Sequence, residues 1–141
     1  MQVWNGNYVS NGGPVARVDA TVGETAQLLS SGTITASANV GPFFLENANA
    51  VWFYWEIEAI SGSGAALTVI PQSSATSGGS YNQFLTSGSQ TATGSGVLCT
   101  VLPSTSGAPN QWFRLNLTVA GTSPSIKYSV YVVPFYIGEN A

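Results

Sequence analysis

Glu56 and Glu58 are the closest pair of carboxylates in a stretch where both could face the same way. In an extended strand, residues two apart share a face and lie about 7 Å apart, near the spacing at which two carboxylates divide the work of glycoside hydrolysis. That chemistry also needs a cleft and sugar-orienting groups, and no motif announces either. The simpler reading is two charges that keep a sheet face wet. Glu46-Asn47-Ala48-Asn49 is the densest run of possible calcium oxygens, but it lacks Asp and the spacing of a calcium loop, so it reads as a turn. Asn116-Leu117-Thr118 has the form of a glycosylation sequon, yet Asn116 falls in mid-strand, and the match is read as chance. The sequence has no His and a single Cys, Cys99. This excludes Ser-His-Asp and Cys-His nucleophile pairs, the usual zinc ligand sets and an internal disulfide. Cys99, between Leu98 and Thr100, reads as a small buried hydrophobe. The expectation is a protein with no catalytic residue, metal or cofactor, and not an enzyme.

The charge inventory narrows the partners. In 141 residues there are 3 Lys and Arg against 6 Asp and Glu, a net charge of −3, and 6% of residues are charged, where soluble domains average about 25%. Ser, Thr, Asn and Gln supply 47 residues in their place. Three cations cannot neutralise a run of phosphates, so nucleic acid and anionic membrane are excluded as partners. The opening MQVWNGNYVSNGG has neither a basic n-region nor a long apolar run, and nowhere do about 20 apolar residues follow one another. With no signal peptide recognised, synthesis and retention in a cytoplasm are expected.

The elements that must position these residues are strands. In AVWFYWEIEAI (50–60), Val51, Phe53, Trp55, Ile57 and Ala59 alternate with Trp52, Tyr54, Glu56 and Glu58. Period two marks a strand with one buried face. SGSG at 61–64 suits a hairpin turn, with ALTVIPQS (65–72) as the returning strand. A second unit repeats the plan: Phe113, Leu115, Leu117 and Val119 alternate with Trp112, Arg114, Asn116 and Thr118, and GTSPS (121–125) turns into IKYSVYVVPFYI. The units echo one another at an offset of 60 residues. Phe53, Trp55, Ile57, Leu115, Leu117 and Val119 form the expected core. Shorter strands are expected at 26–30, 33–38, 81–86 and 96–102. Seven to nine short strands without helical periodicity predict an all-β fold, a single antiparallel β-sandwich or jelly roll over 24–141.

Residues 1–23 are rich in Gly and Asn and carry only Trp4 and Tyr8 as isolated anchors, which predicts an extended N-terminal arm that docks on a partner. Aromatics that alternate outward mark the candidate interface: Trp52, Tyr54 and Trp112, with Tyr131 on the last strand. Such a face suits burial by a second copy or another protein, or the stacking of sugars.

EIEAISGSGAALTVIPQSS and RLNLTVAGTSPSIKYSVYVV, preceded by GTITASANVGPFFLENANAVWF, resemble small β-sandwich proteins of tailed-bacteriophage virions. The likeness rests on a strand, V-x-G-T-x-P-S, strand pattern. It is carried by Val119–Ser125 and more loosely by Ile60–Leu67, where Gly64-Ala65 replaces Thr-Pro. It spans about Gly32 to Val133 and has no counterpart for 1–23. The resemblance implies a virion structural protein of the capsid decoration or cement kind, without activity. It would be made in a host cytoplasm and would bind the major capsid protein or another shell protein as a homo-oligomer, a trimer favoured. A carbohydrate-binding or fibre-like host-recognition module is the alternative.

Overall fold

The computed structural model describes residues 16–19, 26–46 and 48–136. Among these residues the fold is all-β: β1 (Ala16–Asp19), β2 (Gln27–Ile34), β3 (Ala38–Glu46), β4 (Ala50–Ser74), β5 (Asn82–Gln83), β6 (Gly94–Val101), β7 (Ser104–Thr105), β8 (Ala108–Pro109) and β9 (Trp112–Phe135). Pairing is antiparallel throughout except between β1 and β3, which run parallel. Of the segment 1–23, only Ala16–Asp19 is described, and it adds to β3 of its own chain. Trp4 and Tyr8 lie outside the described residues.

The two long strands correct the expected hairpins. SGSG at 61–64 does not reverse the chain: Ile60 pairs with Ile126 and Ala66 with Ala120, so 50–60 and 66–74 are successive lengths of β4, and 112–120 and 126–135 are successive lengths of β9. The Gly/Ser segments lie opposite each other in this pair, and the register slips three times between Ile57 and Ala66. Small residues serve a bulge as readily as a turn, and a bulge sharpens local bend and twist.

The bend folds the strand pair onto itself. Phe113 lies opposite Ser73, twenty residues along β4 from Phe53, a separation of about 66 Å in a straight strand. The Phe53 and Phe113 ring centroids are 5.5 Å apart, edge to face. Two layers result. Layer I is β2, the 126–135 limb of β9, the 50–60 limb of β4, and β6; layer II is β1, β3, the 112–120 limb of β9, the 66–74 limb of β4, and β5. The echo at offset 60 is therefore two bent strands, each giving one limb to each layer.

Between the layers lies one core. Val51, Phe53, Trp55, Ile57, Val130 and Val132 of layer I meet Leu67, Val69, Phe113, Leu115 and Leu117 of layer II, all buried. Full burial of a side chain of this kind contributes about 1.5–3 kcal/mol. Of the six expected core residues five are buried and Val119 is partly buried against them. Ala59, expected on the same face, is exposed because the register slips between Ile57 and Ala59.

Candidate interaction surface

Paired residues in neighbouring strands project from the same face, so the register builds the outer surface of layer I row by row. Leu28, Tyr131, Tyr54 and Val97 form one row across β2, β9, β4 and β6. Val133, Trp52 and Cys99 form the next. Phe135, Ala50 and Val101 form a third. Trp52 is 50% exposed, Val97 54% and Val101 59%. The Tyr54 and Tyr131 rings lie 6.2 Å apart and tilted, and Trp52 meets Phe135 edge to face at 6.2 Å. Ala50 itself is fully buried, and around it the three rows expose apolar side chains and carry no charge.

The surface ends where the charges begin. Glu56 is in register with Ser129 and Ser95, and Glu58 forms an exposed ion pair with Lys127 at 3.3 Å. The pair of glutamates thus continues the outer face as its polar margin. Exposed ion pairs contribute little, so Glu56→Gln and Glu58→Gln are each expected to change stability by less than about 1 kcal/mol in a thermal melt. A hydrolytic activity abolished by either change would count against a purely structural role.

Trp112, expected beside Trp52, lies on the opposite side of the molecule. Its limb of β9 belongs to layer II, where its ring packs at 5.1 Å on Phe44. Around it the outer face is polar. Arg114 Nε donates to Gln72 Oε1 at 2.6 Å, and its guanidinium lies 4.8 Å from the Tyr81 ring centroid. Burial raises the Tyr81 pKa above its ordinary value, while the Arg114 charge pulls it down. The sequon residue Asn116 donates to Asn39 Oδ1 at 2.8 Å and accepts from Thr118 Oγ1 at 2.5 Å. The bend therefore separates one apolar and one polar outer face.

Cys99 also departs from expectation: it is exposed. In β6, Gly96, Leu98 and Thr100 pair with the inward residues Trp55, Phe53 and Val51, so Val97, Cys99 and Val101 project outward. Residue type pointed both ways here, because Leu98 and Cys99 are both apolar neighbours. The sequence reading named none of Leu28, Val97, Cys99, Val101, Val133 and Phe135 for this surface; the alternation of β4 carried across to β6 finds Val97, Cys99 and Val101, and carried across to β9 and on to β2 it finds Val133, Phe135 and Leu28. Among the described residues no group of three or more His, Cys, Asp or Glu could hold a metal ion.

Compared with models of protein families, with curated proteins and with solved structures, the chain matches none.

Proposed function

We propose that this is a non-enzymatic structural protein that self-associates and attaches to a larger assembly through the outer face of layer I. The observation that carries the reading is the uncharged surface of three cross-strand rows with Trp52 at its middle, half exposed. Such a surface tends to be covered by another protein, and its scarcity of charge avoids the desolvation penalty of several kcal/mol for each ion buried at a contact. The resemblance of 32–133 to phage head proteins supports a more specific role, that of a capsid decoration or cement protein that binds an assembled virion shell.

Sedimentation of the purified chain at tens of micromolar is expected to show a discrete oligomer. Trp52→Ser with Tyr54→Ser should weaken it at least about tenfold, as loss of central aromatic contacts does at protein interfaces. Electron microscopy of phage particles carrying labelled protein should show repeating density on the shell. The Tyr54–Tyr131 pair beside Trp52 also suits sugar stacking. A clean monomer that binds on a glycan array would replace the structural reading with that one.

A further inference from the structure

The self-association proposed above covers the outer face of layer I and leaves the edges of that layer open, and at one edge β6 supplies a further contact. Among the described residues β6 pairs only with β4, over an unbroken register from Ala50–Val101 to Ile57–Gly94. In an antiparallel pair, alternate residues direct their N–H and C=O groups away from the partner, so the other side of β6 offers a row of such groups. Proteins usually blunt such an edge with charges, Pro or a bulge. The run GSGVLCTV has no charged residue and no Pro, and its register has no slip. The opposite edge of layer I, β2, is interrupted by a register slip between Leu28 and Ser30.

The outward side chains of this edge read Val97, Cys99, Val101, a sequence that is the same in both directions. An antiparallel strand of a second copy, centred on Cys99, would set Val97 against the partner's Val101, Cys99 against the partner's Cys99, and Val101 against the partner's Val97. On the inner side Leu98 would face the partner's Thr100. A contact of this kind needs a twofold axis and a surface complementary to itself, and the three residues provide one.

We infer that β6 pairs edge to edge with β6 of a second copy, joining two layers I into one continuous sheet and two apolar outer faces into one surface. The inference rests on the self-association proposed above and adds a contact to it. It also alters the expected count: a twofold contact closes at two copies or gives even-numbered assemblies, where the resemblance favours three.

Cys99 is the chain's single cysteine, which makes the natural protein its own probe. Directly opposed residues in an antiparallel pair have Cα atoms about 4.5–5.5 Å apart, within the range a disulfide spans. Treatment with diamide, which takes up the two thiol hydrogens and is reduced to the hydrazine, should convert the chain into a covalent dimer that dithiothreitol reverses. Two exposed-site variants supply the second measurement. Val97→Lys with Val101→Lys, and Val97→Glu with Val101→Glu, each set like charges opposite one another twice, and each alone should dimerise at least about tenfold more weakly. An equimolar mixture should restore the dimer, because Lys then faces Glu at both positions. Unchanged circular dichroism and melting of the variants would show that they fold. A natural chain that associates but yields no Cys99 disulfide, or whose charge variants associate as it does, would overturn the β6 contact and leave self-association standing. A natural chain that stays monomeric overturns both.

Discussion

Trp55→Ala is expected to cost about 3–5 kcal/mol, much of the stability of a typical small domain. Trp55 is buried in the layer interface and its ring covers Gly96, the residue in register with it on β6. A Cβ added at Gly96 would lie 2.6 Å from Trp55 Cζ2. Gly96→Ala alone should therefore cost about 1–3 kcal/mol, because the ring must shift in a packed core. In the Trp55→Ala background the same Gly96→Ala change should cost nothing or recover stability, since the space it needs is already vacant. A double-mutant cycle by urea denaturation measures this coupling directly. Additive costs would mean that the ring does not rest on Gly96.

Gly62→Ala and Gly121→Ala are expected to lower stability by about 3 kcal/mol or more each, from backbone strain together with overpacking. Both glycines sit in the bend with φ of +111°, where a side chain is disfavoured. A Cβ at Gly62 would lie 2.8 Å from Pro124 Cα and from the Ser123 carbonyl oxygen, and one at Gly121 would lie 2.7 Å from Ala65 Cα. The atoms approached are backbone, so no rotamer change relieves the clash. Gly64 is the control: its φ is +68° but nothing lies within 4 Å of an added Cβ. Gly64→Ala should cost only the conformational penalty of about 1–2 kcal/mol. Equal losses at the three positions would show that close approach of the two strands is not what demands glycine.

The fold class and most of the core were legible because alternation is local. Each inward residue from Phe53 to Ile57 and from Phe113 to Leu117 is identified by its neighbours two positions away, without knowledge of any partner strand. The behaviour of 61–64 was not legible, since a hairpin turn and a bulge draw on the same Gly and Ser residues. What decides between them is the pairing of Ile60 with Ile126 and Ala66 with Ala120, contacts distant in the chain. The candidate surface divided along the same line. Alternation showed that Trp52, Tyr54, Trp112 and Tyr131 point away from the core, but not that the bend carries Trp112 to the other layer. In β6 the two faces were indistinct by residue type, and only its register with β4 separates Cys99 from Leu98.

The bent pair also dictates an order of events during synthesis. β2, β3 and β4 all take β9 as a neighbour, and even the nearest paired positions of β4 and β9, Ser74 and Trp112, are separated by all of β5 to β8. No portion of either layer can close around the core until β9 has left the ribosome. At about 5–20 residues per second, β2, β3 and β4 spend several seconds without their β9 partner and with the core face of each layer uncovered. A chain so poor in charge has little electrostatic repulsion to hold nascent copies apart during that interval. The abundance of Ser, Thr, Asn and Gln between its strands then serves the unfolded chain as well as the folded one, keeping it hydrated until the last strand arrives.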